Sequence, residues 1–171
     1  STVQDWPGRK GYYGRGFPPC GPIDPWSFRL ANLLVGNGAG AAALECQYVG
    51  PSLRFRSPAV IAVCGADMQP ELDGHPLELW RSHSVAASQV LSLSFARLGA
   101  RAYVAVSGGI DVPEFLGSRA TFLIGGVGGL DGEALKEGSI LPVGIGQGTP
   151  DLVAPKEIRP AISRDKSWSI E

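Results

Sequence analysis

Gln4, Asp5, Arg9 and Tyr12 crowd into nine residues near the start of a 171-residue chain. Together they supply an amide, a carboxylate, a guanidinium and a phenol. A pocket built from such groups holds a small planar or anionic substrate, because it offers donors and acceptors at once. Asp111, Ser118 and Arg119 form a second polar set far along the chain. The expectation is that Asp5, Arg9 and Tyr12 do the chemistry while Gln4, Ser118 and Arg119 bind substrate. The competing reading is an Asp5–Arg9 ion pair that only stabilises its own loop.

Other constellations carry less. Gly125, Gly126, Gly128 and Gly129 flank Val127, but no Lys-Ser/Thr pair and no convincing helix follow, so turn geometry is favoured over a phosphate loop. Ser107-Gly108-Gly109 suits either an anion cradle or a tight strand exit. No G-x-S-x-G elbow is present. His75 and His83 read as solvated surface residues, without the carboxylate company a metal site needs. Cys20 has no His or Lys close in sequence to lower its pKa and reads as structural.

The helix that positions the first cluster is written plainly. Asp24 suits an N-cap and Pro25 the first turn, where its missing N–H has no partner to lose. Trp26, Leu30, Leu33 and Leu34 repeat as an apolar stripe that Phe28, Ala31 and Val35 widen, and Gly36 ends it. Residues 1–23 read as a loop with a strand stub at the start. Beyond Ala42 the period shortens. Strands are expected over Ala43–Val49, Leu53–Phe55, Ala59–Cys64, Leu72–Asp73, Leu77–Trp80, Gln89–Phe95 and Arg101–Ser107. Asp73-Gly74 marks a hairpin. Val112–Leu116 and Glu133–Lys136 suit single helical turns, and Ser139–Val143 a last strand. The reading is a mainly β barrel or sandwich with one or two helices. Residues 1–145 form the domain, 146–166 a linker, and 167–171 the truncated start of the next unit.

Composition narrows the function. Fifteen Lys+Arg balance 16 Asp+Glu, which excludes the basic stripe of a nucleic-acid or membrane-surface binder. The 24 glycines and 14 prolines lie between apolar segments, so they punctuate strands rather than create disorder. Cys20, Cys46 and Cys64 are an odd set without C-x-x-C spacing, as expected of free thiols in a cytoplasmic protein. No apolar run reaches the ~18 residues that span a bilayer. The chain starts on Ser1 inside a motif-like segment, so it is expected to be a piece cut from a longer polypeptide.

The opening run from Thr2 to Asn37 resembles the signature of the allophanate-hydrolase-subunit-2-like family. The likeness continues in order through Leu44-Glu45, Gly50-Pro51, Leu53-Arg54-Phe55, Gly65-Ala66-Asp67, Leu72-Asp73-Gly74, Arg101–Val106, Gly108–Pro113 and Leu116–Arg119. That family takes in the carboxyltransferase domain of urea carboxylase and urea amidolyase, a subunit of bacterial 5-oxoprolinase, and kinase-inhibitor antagonists. Trp6-Pro7-Gly8-Arg9, Pro18-Pro19 and Ser27-Phe28-Arg29 are more like the urea branch. Cys20 stands where the family usually has Ser, and Ala120 where Ser or Thr is usual.

The resemblance implies a cyclophilin-like β-barrel subdomain, one half of a two-subdomain carboxyltransferase domain. It implies transfer of a carboxyl group from carboxybiotin to urea, giving allophanate. Biotin would ride on a carrier domain outside this chain, and ATP would be used by a separate biotin carboxylase domain, with no metal in this chain. Such a transfer needs desolvation, positioning and donors more than a protein nucleophile. On that expectation Asp5 accepts from urea N–H groups, Arg9 holds the developing charge, and Ser118 and Arg119 close the far side. The second subdomain supplies the opposite wall, and the isolated fragment is inactive. The alternatives are a subunit of an ATP-dependent 5-oxoprolinase, and a non-enzymatic regulator that binds a kinase-inhibitor partner.

Overall fold

Alternation along two long strands builds the molecule. The computed structural model describes residues 1–163. Its strands are β1 (Thr2–Gln4), β2 (Ala43–Gln47), β3 (Ser52–Arg54), β4 (Ala59–Asp67), β5 (Glu71–Leu72), β6 (His75–Pro76), β7 (Ser82–Val85), β8 (Val90–Ser92) and β9 (Leu98–Val106), with one α-helix, α1 (Pro25–Leu34). One antiparallel sheet has the order β1-β2-β9-β4-β7 and the other β3-β8-β5-β6.

Successive residues of a strand face opposite sides, so β4 and β9 each feed two cores. Ile61, Val63, Ala102, Val104 and Val106 point between the sheets, where they meet Val3, Leu44, Met68 and Leu91. Ala62, Cys64, Tyr103 and Ala105 point the other way and take α1 through Phe28, Ala31 and Leu34. Small residues on that side let the helix lie close. The Phe28 and Tyr103 rings meet edge to face at 5.6 Å.

Asp24 caps α1 as its sequence promised, accepting from the Trp26 and Ser27 amides at 3.1 and 3.0 Å. The stripe is rotated from the expected one. Trp26 and Leu33 are exposed, while Ser27, Phe28, Ala31 and Asn32 are buried. Asn32 is held inside because its amide donates to the Ala41 carbonyl at 2.8 Å and its carbonyl accepts from Asn37 at 3.0 Å. The Asp73-Gly74 hairpin forms with both residues at positive φ, 50° and 79°.

Several expected elements do not form. Leu77–Trp80 is irregular, because its polar backbone pairs with turns, as in Leu77 N to Pro70 O at 2.8 Å. Val112–Leu116 and Glu133–Lys136 make no helix. Ser139–Val143 reduces to a single bridge between Val143 and Ile110. Residues 149–154, expected as part of a linker, lie along β7. Ser82 Oγ donates to Thr149 O and accepts from Leu152 N, both at 2.9 Å. The Trp26 indole then donates to Ile158 O at 2.6 Å, which ties this strap to α1.

Candidate functional site

The N-terminal loop, residues 5–21, is pinned at its base and open at its tip. Trp6 N donates to Gly40 O at 3.1 Å and Arg9 N to Pro19 O at 2.7 Å. Gly21 N donates to the Gln4 side-chain carbonyl at 3.0 Å. Gln4 is buried, and its amide donates to Thr2 Oγ1 at 3.0 Å. The tip carries one 3-10 turn, Tyr13–Arg15, closed by Gly16.

Five of the six residues singled out from the sequence meet at the base, where this loop lies against residues 115–121. Asp5 accepts from Ser118 Oγ and from the Arg119 amide, both at 2.6 Å. Arg9 is fully buried. Its Nε donates to Phe115 O at 3.0 Å and its Nη2 to Ala120 O at 2.8 Å. Its guanidinium also lies 5.3 Å from the centroid of the Phe115 ring, a cation–π contact. Thr121 Oγ1 donates to Val3 O at 2.9 Å, next to Gln4. Arg119 turns outward to Glu114 at 2.5 Å and Asp111 at 3.2 Å.

Asp5 and Arg9 therefore do not pair with each other; each serves the facing segment. The carboxylate expected to take substrate N–H groups already accepts twice from the chain. The guanidinium is different. Nη1 of Arg9 is buried and has no hydrogen-bond partner. A buried donor left unmade costs about 1–3 kcal/mol. Tyr12 stands apart, half-buried at the tip, with the Arg15 guanidinium 6.0 Å from its ring centroid.

Three contributors escaped the sequence reading. Phe115 and Ala120 offer carbonyl oxygens, which no side-chain pattern announces. Gly128 is the third. A Cβ there would lie 2.1 Å from Ala120 O and 2.7 Å from Arg9 Nη2, and its φ is +72°. One glycine of the 125–129 cluster thus exists to let the backbone close over the guanidinium. Cys20 sits half-buried at φ 56° beside the site. Burial pushes its thiol up, and the nearby Arg9 charge offsets part of that.

A wide cleft lies elsewhere, at the mouth of the barrel between β3 and the inner face of the first sheet, and none of the six residues lines it.

Comparison with known proteins places these features. Residues 15–171 match the family described as the carboxyltransferase domain, subdomains A and B. The chain is 41% identical over 183 residues to the urea amidolyase of Lachancea kluyveri, covering 99% of this chain and 10% of that protein. It is 42% identical over 144 residues to a 5-oxoprolinase subunit of Escherichia coli, covering 84% of this chain and 46% of that relative. The crystal structure of the Kluyveromyces lactis urea carboxylase superposes with a TM-score of 0.88 at 42% identity, over 95% of this chain and 15% of that one. The chain thus spans a small part of the urea enzymes and under half of the oxoprolinase relative. By residue match and by fold, it belongs to the carboxyltransferase domain family.

Proposed function

We propose that this chain is one wall of the carboxyl-transfer site of a biotin-dependent urea carboxylase, working in the cytoplasm to convert urea to allophanate. The other wall comes from a second carboxyltransferase subdomain. Biotin carboxylase and biotin carrier domains of the same enzyme supply the activated carboxyl group at the expense of ATP. The observation that carries the reading is Arg9, sealed from solvent with one N–H edge unspent, in a chain that aligns along 99% of its length with a urea amidolyase.

The donor set fits a carboxylated biotin and a urea. Both present planar oxygens to a planar guanidinium, which binds such oxygens in line with its N–H bonds. When bound, biotin delivers the carboxyl group; the protein supplies alignment and charge stabilisation. In this reading Arg9 Nη1, sealed in the described residues, is uncovered when substrate binds and donates to the oxygen on which negative charge grows. Two carbonyls and the Phe115 ring hold the guanidinium, so little reorganisation is needed at the moment of reaction. Asp5 is a positioning residue that fixes Ser118 and Arg119 at the rim. In this reading the Tyr12 phenol, on the loop tip, is a second donor to the substrate.

Arg9→Lys in the full-length enzyme tests this. It keeps the charge and loses the fork. Loss of one transition-state donor costs on the order of 100-fold in turnover, so allophanate formation should fall by that factor while biotin carboxylation, run elsewhere in the enzyme, is unchanged. Near-normal allophanate formation sinks the assignment. The similarity to an oxoprolinase relative defines the second arm: turnover of 5-oxoproline but not urea by the wild type transfers the site to that reaction.

A further inference from the structure

The second sheet ends in a strand with one side unused. β3 pairs only with β8 among the described strands. Leu93 N donates to Pro51 O at 3.0 Å, and Phe55 N donates to Gln89 O at 3.0 Å. In an antiparallel ladder these mark the residues that exchange bonds with β8, so the intervening Ser52 and Arg54 direct their N–H and C=O groups the other way. No hydrogen bond to those groups is found among the described residues. This bare edge borders a cleft of about 900 Å³ that opens into the barrel.

The cleft has an apolar floor, with Leu53, Phe55, Val106 and Ile110 among its walls. Ile140 and Ile145 also line it, and both are exposed, Ile145 completely. Arg54 ends the edge strand and Arg56 lies in the bend just after it; both line the cleft, no acidic residue does, and neither arginine forms an ion pair with a described residue. Alternation turns Leu53 onto the core and Arg54 out to solvent; Phe55 also packs on the core, and Arg56 is exposed at the rim of the cleft.

We infer that this edge receives an extended strand from a partner polypeptide, one that alternates apolar and acidic residues. Backbone pairing with Ser52 and Arg54 gives the added strand its register. Its apolar side chains drop into the barrel mouth and cover the exposed isoleucines. Its carboxylates fall beside Arg54, and at the cleft rim beside Arg56, where opposite charges attract. The contact involves none of the residues around Arg9.

The test uses the full-length protein and three fluorescein-labelled heptapeptides: alternating Val and Glu, alternating Val and Lys, and the Val/Glu peptide N-methylated at alternate amides. Fluorescence anisotropy should give saturable binding of the Val/Glu peptide and at least tenfold weaker binding of the other two. Combined Arg54→Glu and Arg56→Glu should reverse the charge preference; both positions are exposed, so the fold is retained. Amide exchange at Ser52 and Arg54 should slow when the Val/Glu peptide is added. Absence of saturable binding, including because another part of the same polypeptide already fills the edge, overturns the inference. So does equal binding of the N-methylated peptide. Indifference to charge overturns it too, and would leave the arginines as guards that keep a bare edge from self-pairing.

Discussion

Ser118 shows how much one small side chain holds. It is buried, donates to Asp5 and accepts from the Ala120 amide at 3.0 Å. Ser118→Ala removes a charge-assisted hydrogen bond and should cost about 1.5–3 kcal/mol in urea unfolding. A change below about 0.5 kcal/mol would mean that water replaces the hydroxyl. Asp73 carries the pH dependence of the hairpin. The Val90 amide, then the Gln89 side chain, hold its carboxyl below the usual range. A lowered folded value stabilises above the unfolded value near 4 and is lost as pH falls through the lowered one. The β5–β6 turn should therefore loosen below about pH 4. Asp73→Asn should flatten that response, read from turn amide shifts in an acid titration. The sequence singled out Gln4, Asp5 and Arg9, which share the loop base, together with Tyr12, which stands apart at the tip. It hid their partners, because Arg9 binds carbonyl oxygens, which every residue carries.

At the scale of elements, α1 was legible through its cap. Asp24→Ala should destabilise by about 1 kcal/mol, measured by thermal or denaturant unfolding, and Asp24→Asn by much less. Its buried face was misplaced because a hydrophobic stripe does not know which face the sheet occupies. Tyr103, rising from β9, reaches the Asp24 amide and Glu45 at 2.8 Å each and turns the helix start toward the barrel. Burial, and then the Glu45 charge, push that phenol above its usual range, so it stays a neutral donor. The β-rich middle was legible from alternation and from Asp73-Gly74. The stretches after Val106 were not, since their backbone is satisfied by isolated bridges and turns with no period to detect.

For the molecule as a whole, the family resemblance read from collinear motifs agrees with the match of residues 15–171 and with the fold. The strap over β7 was invisible, because Pro and polar residues gave it the texture of a spacer. Ser82→Ala removes both side-chain bonds to it. Limited proteolysis should then cut within residues 147–154 several-fold faster while the barrel stays intact; unchanged cutting would assign the strap's order to Trp26 and to Arg159, whose Nε and Nη2 donate to Ala154 O at 3.0 and 2.7 Å. The knot around Arg9 has a consequence for biosynthesis. Its bonds join residues 106 and 114 positions apart. The loop leaves the ribosome before its carbonyl partners, which are made more than a hundred residues later. Until then an arginine destined for full burial stays hydrated, and the amino terminus of the nascent barrel remains unlatched.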